Sequence, residues 1–163
     1  PILGVTQGFL PIAGYNYGAR NFERVSESIS TSIKWAAILA TVIFAIILLL
    51  AEPIVAVFTN DSKIIMETPN ALRLVFAASP IIAVQLIGAA YFQAAGKAIP
   101  ALLLTLTKQG FFLIPLILIL PKYYGIFGVW ISFPIADVLS TIVTAFFLRK
   151  EMKQKLLIAE NGI

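Results

Sequence analysis

The chain has 163 residues, of which 60% are apolar and only 12% charged, and soluble domains carry about a quarter charged residues. With a mean hydropathy of +0.94, the composition excludes a water-soluble core and makes the bilayer the solvent. The absence of cysteine and histidine excludes disulfide frameworks, thiol chemistry, Cys/His zinc sites and histidine acid–base catalysis.

In chain order, the opening Pro1-Ile2-Leu3-Gly4 has no initiator methionine, basic n-region or cleavage site, and is expected to be a start inside a longer protein. Ile2 to Ala13 reads as the closing turns of a preceding helix, ended by Gly14-Tyr15-Asn16-Tyr17-Gly18, whose glycines permit the left-handed geometry of helix ends. Asn21 is placed as the N-cap of a short amphipathic lead-in, Phe22 to Ser28.

Four apolar runs follow. The first covers 30–51, about 22 residues or ~33 Å of helix. The second covers 74–95 and is interrupted by Pro80 and Gly88, which membrane helices tolerate. The third covers 98–120, with Lys108 inside it and a kink expected at Pro115. The fourth covers 126–148, with Asp137 inside it and Pro134 one turn earlier. The fold class is therefore all-α: a polytopic membrane helical bundle of four full transmembrane helices plus the end of a preceding one, in one membrane domain over 1–163. Trp35, Tyr123 and Tyr124 read as interfacial anchors. The small residues Gly88, Ala89, Ala94, Ala95 and Gly96 permit close helix approach.

Basic residues sort by helix end. Arg20, Arg24, Lys34, Lys97, Arg149, Lys150, Lys153 and Lys155 collect at one side, and Lys63, Arg73 and Lys122 at the other. Because cytoplasmic loops carry excess Lys and Arg, eight against three places the C-terminus and the Gly14–Arg24 loop in the cytoplasm. Glu52–Arg73 and Pro121–Gly125 then form outer loops, in a cell (inner) membrane. The net charge of +4 is thus membrane topology and not a nucleic-acid stripe, so no nucleic-acid partner is expected.

Two charges depart from this sorting. Lys108 and Asp137 both fall near mid-depth, where a charge disfavours insertion by about 2.5–3.5 kcal/mol and normally faces a bundle interior or wet cavity. Opposite charges at matching depth on consecutive antiparallel helices suggest a pair, which either lines a transport cavity or locks two helices in register. Helix periodicity puts Trp130, Phe133, Pro134, Asp137, Ser140, Thr141 and Thr144 on one inward face of the fourth helix. On the third helix, Thr105, Lys108, Phe112 and Pro115 share a face with Gln109 at its edge. Gln85 is the lone mid-span amide of the second and reads as either a helix-to-helix hydrogen bond or a ligand contact. Glu52, Asp61 and Glu67 are scattered over an outer loop, which favours simple solvation. No metal-site spacing, phosphate-cradling glycine loop or nucleophile elbow occurs, so neither an enzyme nor a cofactor is expected.

Two stretches, Pro11-Ile12-Ala13-Gly14-Tyr15-Asn16-Tyr17-Gly18-Ala19-Arg20-Asn21 and Tyr91-Phe92-Gln93-Ala94-Ala95-Gly96-Lys97-Ala98, resemble the multidrug and toxic compound extrusion (MATE) family. Gly128-Val129-Trp130-Ile131-Ser132-Phe133-Pro134-Ile135-Ala136-Asp137 is similar to that family's last helix. The resemblance implies a twelve-helix transporter of two six-helix lobes, with this chain supplying the end of the eighth helix and the ninth to twelfth. It further implies antiport, in which a Na+ or H+ gradient drives export of small cationic or amphipathic drugs through a cleft between the lobes. Family members commonly carry Arg at the Lys108 position, so here a fork-shaped donor becomes a point charge. The coupling-ion site is expected wholly or partly in the N-terminal helices outside this chain. Lipid-linked saccharide flippases of related architecture are the alternative reading. A membrane-embedded enzyme or assembly factor would need a cluster of ligating or nucleophilic residues at one depth, which is not seen.

Overall fold

Where no water reaches the backbone, an apolar run satisfies its own N–H and C=O groups by coiling into helix. The computed structural model describes residues 2–160 and contains no strand among them. Its elements are α1 (Ile2–Gly18), α2 (Phe22–Phe58), α3 (Ser62–Val75), α4 (Ser79–Ala94), α5 (Ala98–Leu106), a π-helical segment (Thr107–Leu113) and α6 (Ile114–Glu160).

Phe22–Phe58 and Ala98–Leu157 are long and apolar enough to cross a bilayer, and so is the pair Ser62–Val75 and Ser79–Ala94 when taken together across its 46° bend. The second of these stretches crosses twice, because the chain reverses at Gly125 (φ 55°, ψ −141°), a conformation reserved for glycine. A straight helix at about 1.5 Å per residue would hold Lys108 and Asp137 about 43 Å apart. Their charged atoms instead lie 2.6 Å apart. Gly128 lies against the backbone of Leu120 and Pro121, and Lys97 meets Glu151, so contacts step outwards on both sides of the turn.

Several expected boundaries move. The lead-in and the first span are one helix, α2, started by Asn21, whose side chain accepts from the Arg24 N–H at 3.3 Å. Glu52–Arg73 is largely helix rather than loop, since α2 continues to Phe58 and α3 begins at Ser62, capped by Asp61, whose carboxylate accepts from the Lys63 N–H at 2.9 Å. Pro53 deprives the Leu49 carbonyl of its donor, and α2 departs from helical geometry at Leu50. The Leu48 carbonyl beside that departure accepts from Arg73 Nε at 3.1 Å, and Glu52 lies 3.8 Å from the same guanidinium. The second expected span breaks before Pro80, which sits in the first turn of α4, where a missing N–H costs nothing. The kink expected at Pro115 is expressed one turn earlier, as the π-helical segment with an Ile114 N–H to Gln109 carbonyl bond.

The end of α1 is also corrected. The helix runs through the Gly14–Gly18 cluster, and the left-handed residue is Arg20 (φ 57°), not a glycine. Bonds from Asn21 N–H to the Asn16 carbonyl (2.9 Å) and from Arg20 N–H to the Tyr17 carbonyl (3.1 Å) make a Schellman closure. The end of α4 closes in the same way, with Gly96 (φ 70°) in the left-handed position and Lys97 N–H bonded to the Phe92 carbonyl at 2.9 Å.

At the centre lies α4, buried on all sides from Ile87 to Phe92, and it packs against α1, α2, α5 and α6. Phe9, Ala13, Val25, Ile29, Leu104 and Leu148 complete the core around it. Gly88 allows the closest approach. A Cβ there would lie 2.4 Å from Thr144 Cγ2, and Thr144 is fully buried and stiff at χ1. Gly88→Ala should therefore destabilise the protein by about 1–3 kcal/mol. Adding Thr144→Ser, which removes only the clashing methyl, should restore most of the loss, as read by thermal unfolding of the full-length protein in detergent. Additive losses in the double variant would show that the two side chains do not meet.

Candidate functional site

The reversal at Gly125 brings the two expected mid-depth charges together. Lys108 Nζ lies 2.6 Å from Asp137 Oδ1, with the Asp137 side chain 3% exposed and that of Lys108 26%. The contact is an ion pair rather than a well-directed hydrogen bond, and among the described residues no other donor reaches that oxygen. Asp137 comes from the buried stripe of α6, with Ser132, Ala136, Ser140 and Thr144. Lys108 comes from the π-helical segment. Such wide turns often mark functional positions, because the extra residue re-aims the side chains around it.

Other expected members separate into two groups. Gln85 and Ser140 are buried in the bundle. Thr141 is half-buried and reaches across to α4, donating to the Ile81 carbonyl at 3.4 Å. Ser140 donates to the Asp137 carbonyl at 3.1 Å. Thr105 and Gln109, by contrast, are exposed, and the Thr105 hydroxyl is returned to the Ala101 carbonyl of its own helix. Of the expected face Thr105, Lys108, Phe112 and Pro115, Lys108 and Phe112 are half-buried while Thr105 and Pro115 are exposed, and Leu104 and Thr107, at i−4 and i−1 from Lys108, are the buried residues beside it. Thr107 was legible only as a polar neighbour of Lys108. Its hydroxyl is satisfied at 2.7 Å by the Leu103 carbonyl.

At the end of the bundle holding most basic residues, the two loop motifs pack against each other. Gly14 faces the Ala94 carbonyl, Tyr17 meets Tyr91 edge-on with ring centroids 6.1 Å apart, and Phe22 and Phe92 extend the cluster. Asn16 donates to the Ile12 carbonyl at 2.8 Å, while Tyr15, Gly18, Gln93 and Gly96 are exposed. Lys97 is fixed by Glu151 at 2.6 Å. Glu151 was not singled out in the sequence. Its signal is that it is the one carboxylate among Arg149, Lys150, Lys153 and Lys155. Lys155 caps the cluster, 5.3 Å above the rings of both Tyr17 and Phe22. The two-ended sorting of basic residues is thus present in space, with Arg73 engaged at the opposite end by Glu52.

A buried carboxylate paired with a partly exposed lysine, inside a bundle closed by two interlocking motifs, sets the frame for comparison with known proteins. The family model described as MatE matches residues 1–119. This chain belongs to the MATE family. The multidrug export protein MepA of Staphylococcus haemolyticus is 24% identical over 147 residues, covering 90% of this chain and 32% of the relative. Among solved structures, that of the MATE multidrug transporter DinF-BH is 41% identical, with a TM-score of 0.86 over 92% of this chain and 34% of that one. Outward-facing and inward-facing conformations of a multidrug resistance MATE transporter match with TM-scores of 0.89 and 0.90, at 25% and 26% identity, each over 95% of this chain and 35% and 36% of theirs. The chain therefore spans about a third of the length of the relatives it matches. MATE proteins are multi-pass membrane transporters, and the helices of this chain match about a third of their bundle.

Pairing has a thermodynamic signature. Lys108→Ala leaves Asp137 buried without a counter-charge, which typically costs about 3–5 kcal/mol. Lys108→Ala with Asp137→Ala removes both charges and should be less damaging to folded yield and thermal stability in the full-length protein. Equal damage from the single and double variants would argue against a coupled pair.

Proposed function

We propose that this MATE chain is the later part of the second lobe of a drug exporter, and that it carries the Lys108–Asp137 pair into the lobe's central cavity. The observation that carries this reading is the pair itself: a carboxylate almost wholly removed from solvent, in a bundle similar to those of multidrug transporters. A charge at mid-depth disfavours insertion and is kept where it handles a substrate or ion. Asp137 then offers a cationic drug or coupling cation the site that Lys108 occupies in this conformation, so cargo and lysine compete for one carboxylate.

Alternating access by rigid motion of lobes is supported by the near-equal likeness of this chain to inward- and outward-facing relatives. If a third of the molecule keeps its internal shape, the change falls at its borders with the rest. Coupling to Na+ or H+, cationic or amphipathic drugs as cargo, partnership with N-terminal helices of the same protein, and a cytoplasmic C-terminus in the inner membrane belong to the same proposal. The charge sorting supports that orientation. The flippase alternative is not favoured, because the relatives at hand are multidrug exporters.

Dye efflux from cells or proteoliposomes containing the full-length protein tests this, with sodium and proton gradients varied separately. Asp137→Asn should lower gradient-driven efflux about tenfold or more, the scale of an ordinary coupling free energy, while Lys108→Arg keeps most of it. Dependence of efflux on one gradient identifies the ion. Unchanged efflux in Asp137→Asn would remove the pair from the transport cycle, and no efflux under either gradient would reject the exporter reading.

A further inference from the structure

The second half of α6 carries a groove of ≈ 480 Å³ lined by Ile142, Ala145, Phe146, Arg149, Lys150 and Lys153. On a helix of about 3.6 residues per turn, this stripe lies opposite Asp137, Ser140, Thr144 and Leu148, which are buried in the bundle. The groove thus looks away from the candidate transport site. Its polarity runs one way along the axis, with three apolar residues towards mid-depth and three cations where the apolar run ends.

Among the described residues, no protein partner accounts for those cations, and no carboxylate lines the groove. Glu151 turns to the buried side and is taken by Lys97 at 2.6 Å. The ion pairs among the described residues involve Arg73, Lys97 and Lys108, and none involves Arg149, Lys150 or Lys153. Lys155 is accounted for by Tyr17 and Phe22. The positive-inside bias places basic residues at a helix end but does not choose a side of the helix. Here three of them share one face with three apolar residues, the apolar part rising about 6 Å along the axis and the whole stripe from Ile142 to Lys153 about 16 Å.

We propose that this groove binds an anionic phospholipid of the leaflet at the basic end of the bundle. An acyl chain lies along Ile142, Ala145 and Phe146. The phosphate is met by the Arg149 fork, which suits two phosphate oxygens at once, and by Lys150 and Lys153 as point charges. The site needs only the membrane reading of the chain and does not rest on drug export.

Native mass spectrometry of the full-length protein tests it, with phosphatidylglycerol and phosphatidylcholine of matched acyl chains offered in turn. Phosphatidylglycerol should be retained preferentially, and each of R149Q, K150Q and K153Q should lower its retention about fivefold, as expected for one surface cation against an anionic lipid. The charge-keeping R149K/K150R/K153R should retain it, and K122Q, at the opposite end, should change nothing. Stepwise single variants keep the test open if R149Q/K150Q/K153Q does not fold. Equal retention of the two lipids, undiminished phosphatidylglycerol binding in the single variants, or an equal loss in K122Q would overturn the proposal. Because the readout is binding and not transport, failure of the exporter reading would leave this result standing.

Discussion

A carboxylate buried in a helical bundle within hydrocarbon stays charged only if a cation is held against it, and that requirement organises the central part of this molecule. Asp137 sits on the innermost stripe of α6, and its counter-ion is on a different pass of the chain. Bringing Lys108 to it requires the reversal at Gly125, a π-helical segment that aims the lysine, and an α4 narrow enough at Gly88 to let α6 close in. A shift of the pairing register by one turn would move the ammonium by about 5.4 Å. The ion pair and the packing therefore specify each other.

Two levels of organisation are stacked along the bundle. Buried groups without hydrogen-bond partners among the described residues occur at both levels: Asp137 Oδ1 and the Thr144 hydroxyl on the inner stripe of α6, and the Tyr91 hydroxyl in the aromatic cluster at the basic end. The basic end is closed by aromatic edges, two Schellman terminations and the Lys97–Glu151 contact. Unsatisfied polar groups in a low-dielectric interior favour any rearrangement that supplies a partner. A tightly closed end resists local deformation. A closed end of this kind agrees with the likeness of this chain to relatives in both inward- and outward-facing states.

Proline positions show how the chain spreads strain. Pro53, Pro80 and Pro115 each fall beside a departure from regular helix, and each departure takes a different form. At Pro53 the disturbed region is stabilised from outside, by Arg73 donating to the Leu48 carbonyl. At Pro80 the helix ends and restarts with a bend of 46°. At Pro115 the ladder widens to i→i−5 one turn upstream. Proline disfavours an uninterrupted helix across each of the three sites, and the form of each departure differs with its surroundings.

The sequence by itself determined the solvent, the apolar passes and their order, and singled out the two interior charges, because hydropathy and length are local quantities that a bilayer reads one segment at a time. It also exposed the family motifs at Gly14–Gly18 and Gln93–Lys97 and the inward stripe Asp137–Ser140–Thr144, since an undisturbed α-helix keeps its period. The rotation of a helix about its own axis was less legible: the third pass turns Leu104 and Thr107 inward beside Lys108 and leaves Thr105 exposed, and the left-handed helix end fell to Arg20 instead of a glycine. Only the tertiary structure decided that the two motifs touch, that Glu151 holds Lys97, and that Arg149, Lys150 and Lys153 share an outward groove. Those facts depend on which helices become neighbours and at what rotation, and neither is written in any one segment.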